Sequence, residues 1–205
     1  IVTVEMYDNY FKKNSLVERD NSYKPLRDRS FSDLKSLLNE YTCLDVNNHK
    51  GKDLHFDDTL SMMCNHSSVD NKFNYEWLEF FGDLFYGSFV CRYIEKEFPT
   101  LESRVWIHEI YSLFTSGSEK SHFQIVLSDN LFNLSSLIRI RDRRNLETNQ
   151  KIKGDLFEAL FGLVTLLGNK PIDRDVDTFM GYHIGYNFFK NIMNRIEIDK
   201  SVFTP

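Results

Sequence analysis

The sequence predicts an all-α fold, on three observations. Apolar residues recur at three- and four-residue steps in several segments, no segment alternates cleanly at period two, and breaker runs such as TSGSEKS separate the periodic stretches. With 205 residues, 41% hydrophobic and 15% aromatic, the chain has the apolar material for one core, or for a core with an arm attached. Its longest run without Asp, Glu, Lys or Arg is 12 residues, Thr178 to Phe189, short of the ~18 that a membrane-spanning helix needs. No N-terminal stretch reads as a secretory signal, and a chain opening on Ile1 reads as a piece excised from a longer one. Three cysteines, Cys43, Cys64 and Cys91, without a CxxC pair, point to a reducing, intracellular setting, nucleus or cytoplasm. A net charge of −5 argues against a protein that coats phosphate backbone, so contact with nucleic acid has to be local.

Residues 1–30 carry mixed charge without a period and read as an N-terminal arm. From Phe31, the steps Leu34, Leu37, Leu38 and Tyr41 predict an amphipathic helix, with Ser32 and Asp33 as caps. Asp45 to Lys52 reads as a turn, and Phe56 to Met63 resumes an apolar face. Tyr75 to Phe98 reads as one long helix stopped by Pro99. Its uncharged run Leu84 to Cys91 makes it apolar all round, the mark of a central helix or of half a dimer interface. Leu101 to Thr115 and His122 to Leu137 are further helices, Ile138 to Lys153 is polar and mostly irregular, and Asp155 to Leu167 is an apolar helix capped by Gly168. Asp173 to Ile196 is the last helix, with Asp173, Asp175 and Asp177 at the end where the macrodipole favours acids.

Several motifs fail on inspection. His108-Glu109 begins a zinc motif, but Ser112 stands where the second histidine belongs. Asp173, Asp175 and Asp177 match the start of a calcium loop that then has Thr178 for its glycine and Ile184 for its bidentate glutamate. No GxSxG or GxxxxGK run is present.

Two acid clusters lie inside otherwise apolar helices, where ionised side chains are costly unless compensated. Glu76, Glu79 and Asp83 fall on one stripe, interleaved with Trp77, Leu78, Phe80 and Phe81; Asp155 and Glu158 fall on one stripe of GDLFEALFG. A solvated face is the plain explanation of acids on a helix. The second cluster resists it, because Ala159 to Val164 mark a buried helix whose acids face inward. Carboxylates converging from two crossing helices form an oxygen-rich pocket suited to magnesium and to metal-assisted hydrolysis of a phosphoester. Ala159, the single alanine of the chain, and Gly162 would let the partner helix approach closely.

These residues are similar to a known family. Residues 74–83, NYEWLEFFGD, resemble the signature helix of the ribonuclease III family, and residues 154–162, GDLFEALFG, resemble its second acidic motif. Residues 56–67, FDDTLSMMCNHS, are similar to the segment ahead of the signature, with His66 and Ser67 where a His and a Ser are usual. The resemblance covers roughly residues 31–195. It implies an all-helical endonuclease domain, taken as residues 31–196, that forms a homodimer and cuts double-stranded RNA with magnesium, or manganese, in RNA processing or silencing. The implied products carry 5′-phosphate and 3′-hydroxyl ends with short 3′ overhangs. By position, Glu79, Asp83, Asp155 and Glu158 are the metal-binding catalytic acids, Glu76 is an auxiliary acid and Phe80 is an apolar dimer anchor. Trp77, Phe81 and Leu84 depart from the family pattern at positions that touch packing and leave the acids intact.

The most basic stretch offers Arg139, Arg141, Arg143, Arg144, Lys151 and Lys153 against Asp142 and Glu147. A solvated loop is the plain explanation, but the stretch leads directly into the second acidic motif, and phosphate contact from Arg139, Arg141, Arg143, Arg144 and Lys153 follows. Residues 197–205 form a tail too short for a double-stranded-RNA-binding domain, so two alternatives stand open: such a domain lies outside this sequence, or separate RNA-binding subunits are partners. Two other classes compete: a non-catalytic RNA-binding or ribosomal structural protein on the same fold, and an all-α metal-dependent nucleotide hydrolase.

Overall fold

The computed structural model describes residues 31–42, 54–99, 104–115, 123–168 and 180–196. In chain order the helices are α1 (Ser32–Thr42), α2 (Leu54–Met63), α3 (Glu76–Glu97), α4 (Arg104–Thr115), α5 (Phe123–Asn130), α6 (Leu134–Leu137), α7 (Arg144–Thr148), α8 (Lys151–Gly168) and α9 (Met180–Arg195). The fold is all-α: among the described residues the β-type pairing is one isolated bridge, Asn65 to Arg139. None of these helices is long and apolar enough to cross a membrane.

Helix α3 is the spine, 22 residues and so about 33 Å long. Its start is built by the loop before it. Asp70 Oδ1 accepts from the backbone N–H groups of Lys72 and Phe73, each at 2.9 Å, and Asn74 Oδ1 accepts from the Glu76 N–H at 3.0 Å. The side chain one residue ahead of the nominal cap therefore satisfies a first-turn donor that the helix leaves open. At the other end the Phe98 N–H reaches the Ile94 carbonyl at 2.9 Å, and Pro99 bars continuation.

The most extensive helix pairing is α3 against α8. Two glycines make it possible. A Cβ on Gly82 would sit 1.8 Å from the Glu158 carbonyl oxygen, and one on Gly162 would sit 2.2 Å from the Leu78 carbonyl oxygen. The backbones touch, and any side chain at either position forces the helices apart. Gly162 does what its sequence context suggested; its counterpart is Gly82, while Ala159 is fully buried beside the crossing.

Around this crossing the core is aromatic. Tyr86 meets Phe157, Phe161 and Phe189 at centroid distances of 5.5, 5.0 and 5.6 Å, geometry that adds to simple area burial. Its hydroxyl donates to the Phe114 carbonyl on α4 at 3.0 Å. Helix α9 closes the other side and ties α1 to it: Asn191 Nδ2 donates to the Tyr41 carbonyl at 2.6 Å, and the Arg195 guanidinium stacks 4.3 Å over the Tyr41 ring.

Three expectations need correction. The helix expected over His122–Leu137 is divided: α5 stops at Asn130, and Asn133 adopts a left-handed φ of 51° before α6 begins. Asparagine tolerates that conformation better than most residues, so the chain turns there. The segment expected to be irregular, Ile138 to Lys153, holds α7 and the first turn of α8. Asp142 Oδ1 accepts from the Arg144 N–H at 3.1 Å and Asn149 Oδ1 from the Lys151 N–H at 3.2 Å, each starting a helix earlier than apolar periodicity indicates. The run Leu84 to Cys91 is interior for only half its residues, with Ser88 and Cys91 exposed and Phe85 half-buried. Tyr86, Gly87, Phe89 and Val90 are buried, whereas Leu84 is 58% exposed. The arm, the tail, the turn at Asp45 to Lys52, Cys43 and the acids Asp173, Asp175 and Asp177 lie outside the described residues.

Candidate active site

Where α3 crosses α8, their two acidic stripes face one cavity of about 540 Å³. Glu76, Glu79 and Asp83 line it from α3, Asp155 and Glu158 from α8, with His66, Tyr75 and Lys151 also in the wall. Glu79, Asp155 and Glu158 each place one carboxylate oxygen so that all three lie within 4.8 Å of one another. The sequence required no contact between stripes some 75 residues apart; the glycine crossing produces it.

The cluster is partly desolvated, and it shows. Burial pushes the Glu158 carboxyl up to about 8, with Asp83, Asp155 and Glu79 adding repulsion against the hydrogen bond from Gln124. Glu79 is raised by burial and by Asp155, and Asp155 is raised by burial, in both cases against the opposing charge of Lys151. Lys151 Nζ stands 2.6 Å from Asp155 Oδ1 and 3.5 Å from Glu79 Oε1, so the carboxylates already draw a cation between them. Tyr75 is held above the ordinary phenol range by burial and by the adjacent acids, which keeps it a neutral hydroxyl. Gln124 Nε2 on α5 donates to Glu158 Oε1 at 3.0 Å.

The three clustered donors are all carboxylate oxygens, a set that fits a hard divalent cation such as magnesium or manganese better than zinc, which prefers nitrogen and sulfur. Glu79, Asp155 and Glu158 are the residues that would hold it, with Asp83 on the same wall.

No protein-family model matches the chain. A provisionally named ribonuclease 3 of Invertebrate iridescent virus 6 is 29% identical over 136 residues, which is 62% of this chain and 44% of that protein, so the chain spans less than half of its relative's length. Among solved structures, the nuclease domain of ribonuclease III from Campylobacter jejuni superposes with a TM-score of 0.56 at 17% identity, covering 79% of this chain and 98% of that one. The chain has the ribonuclease III nuclease fold.

On that fold the sequence-derived site residues fall as follows. Glu79, Asp155 and Glu158 come together; Asp83 and Glu76 line the same cavity but are exposed. Phe80 stands at the rim, 62% exposed, beside Leu84. The basic stretch is pinned near the cavity by the bridge at Asn65, where the Arg139 N–H donates to the Cys64 carbonyl at 2.7 Å and the His66 N–H to the Arg139 carbonyl at 3.0 Å. Its cations differ in engagement. Arg144 grips Asp142 through two hydrogen bonds, Arg143 reaches the Ile138 carbonyl at 3.4 Å, Lys153 pairs with Asp129 at 2.7 Å, and Arg141 is exposed.

Three contributors have no sequence signal of their own. Gln124 comes from α5, where nothing in the pattern marks it. Lys151 belongs to the basic stretch in sequence but to the acidic cavity in space. Gly82 lies inside the signature run, yet its function as the contact point appears only with Gly162 opposite it.

Proposed function

We propose that the chain is the nuclease domain of a divalent-metal-dependent endoribonuclease that cuts double-stranded RNA as a homodimer, leaving 5′-phosphate and 3′-hydroxyl ends with short 3′ overhangs. The observation that carries the reading is the meeting of three carboxylate oxygens within 4.8 Å in a cavity that also contains Asp83. When bound there, magnesium or manganese supplies Lewis-acid stabilisation of the phosphate and an activated water.

The chain's own residues do the rest. Glu79, Asp155 and Glu158 present their oxygens as ligands from two rigid helices; Asp83 supplies further negative charge next to Glu158, and Glu76 stands at the mouth as an auxiliary. Tyr75, kept neutral, offers a hydroxyl in the wall. Arg139, Arg141, Arg143, Arg144 and Lys153 belong to a stretch anchored beside the cavity; the exposed Arg141, Arg143 and Arg144 are the side chains assigned to phosphates of a duplex, read by shape rather than sequence, while Lys153 is paired with Asp129 under cover. Phe80 and Leu84, exposed one turn apart on α3, supply an apolar seam for a second copy. The Campylobacter jejuni structure is itself described for flexibility in a region involved in dimer formation.

The test is incubation of the protein with end-labelled duplex RNA, with and without magnesium, beside Glu158→Gln, with products resolved on a sequencing gel. Magnesium-dependent cuts with 3′ overhangs that vanish in the variant are expected. Intact duplex binding and dimerisation with no cutting would move the protein to a structural RNA-binding role.

A further inference from the structure

We propose that Gln124 is a positioning residue for the metal-ligating state of Glu158, so that an uncharged amide sets how tightly the cavity holds its divalent cation. The inference rests on the metal-cluster reading above and extends it to a residue outside both acidic stripes. Gln124 is 1% exposed, and its Nε2 donates to Glu158 Oε1 at 3.0 Å. Its other polar atom, Oε1, is buried without a hydrogen-bond partner.

That imbalance is informative. An apolar side chain of similar shape would fill the same space without leaving a buried acceptor unpaired. What the amide provides, and Met or Leu would not, is the hydrogen bond to Glu158. Fixing Oε1 limits the carboxylate's freedom to rotate, and so holds Glu158 in one orientation against the cavity it lines. Because the donor carries no charge, it orients Glu158 without neutralising it, unlike Lys151, whose ammonium offsets the charge of Asp155 and Glu79. The platform is firm: five residues further along α5, Asp129 pairs with Lys153 of α8 at 2.7 Å with both side chains largely covered, so α5 is tied to α8 at two polar points. Metal ligands are commonly oriented by such neighbours, and their loss weakens affinity by roughly 10- to 100-fold.

The experiment compares the protein with Gln124→Met in two readouts. The first is the rise of melting temperature across a magnesium titration without RNA; the second is cleavage of duplex RNA across the same titration. The metal-free melting temperature of the variant should stay close to that of the parent. Its half-saturating magnesium should rise about tenfold, while kcat at saturating metal changes by less than about threefold. Adding Gln124→Met to Glu158→Gln should change the metal response no further, since the amide acts through that carboxylate. Should Gln124→Met fail to fold, Gln124→Asn, which keeps the amide and withdraws it by one methylene, takes its place with the same expectation. Superimposable titrations for parent and variant, or additive effects in the double variant, overturn the role of Gln124 alone. A parent protein whose melting temperature ignores magnesium and manganese overturns the metal cluster and this proposal with it.

Discussion

The acidic stripes of α3 and α8 have like spacing in sequence and unlike surroundings in the fold. On α3, Glu76 and Asp83 are exposed and Glu79 is half-buried; on α8, the Asp155 side chain is 13% exposed and Glu158 is held protonated well into the neutral range. The α3 acids look out from the cavity wall, whereas the α8 acids are set under it and need help, Lys151 for Asp155 and Gln124 for Glu158. Equal patterns therefore carry unequal energetic cost. On the proposed reading, the stripe that costs most to bury is the one that serves a ligand, since nothing in packing demands it.

The largest effect expected is from breaking the crossing that brings the stripes together. Gly162→Leu places a side chain where the Leu78 carbonyl already stands, and a loss of about 4 kcal/mol or more, read by urea denaturation, should accompany loss of the cavity. Next comes the division between the stripes in activity and stability. Glu158→Gln should lower cleavage by more than about a hundredfold and yet raise the melting temperature of the metal-free protein, because it removes a carboxylate that burial disfavours. Asp83→Asn, at an exposed position, should leave that melting temperature nearly unchanged; a larger stabilisation from Asp83→Asn than from Glu158→Gln would reverse the comparison.

The same asymmetry has a pH signature. Between about 4.5 and about 8 the folded state keeps a proton on Glu158 that the unfolded chain has released, so the metal-free protein loses stability as pH rises through that window. Raised Glu79 and Asp155 act in the same direction. Melting curves from pH 5 to 8 should show the decline; Glu158→Gln should flatten most of it, and magnesium should restore stability at pH 8. The smallest effect is expected at the rim. Arg144→Ala removes an exposed pair with Asp142 and should leave the melting temperature alone, while weakening duplex RNA binding and lowering its salt slope by about one.

Much of this site is legible in the sequence because it is local. Glu76, Glu79 and Asp83 must share a face once Tyr75 to Phe98 is a helix, and Asp155 and Glu158 follow in the same way. Breaks such as Asn133 and the early start of α8 are less legible, since each depends on one side chain bonding to nearby backbone rather than on a period. Gln124 is not legible at all: its partner is 34 residues away, and its segment reads as ordinary amphipathic helix.

By itself, then, the amino-acid sequence determined the helical class, the long central helix ended by Pro99, and two acidic stripes in apolar surroundings, because periodicity and capping are properties of neighbouring residues. Tertiary structure alone decided that Gly82 meets Gly162, that three carboxylate oxygens converge, that Lys151 enters the acidic cavity and that Gln124 braces Glu158. Those are contacts between segments far apart in the chain, set by how closely two backbones can approach and by which buried charges must then find partners.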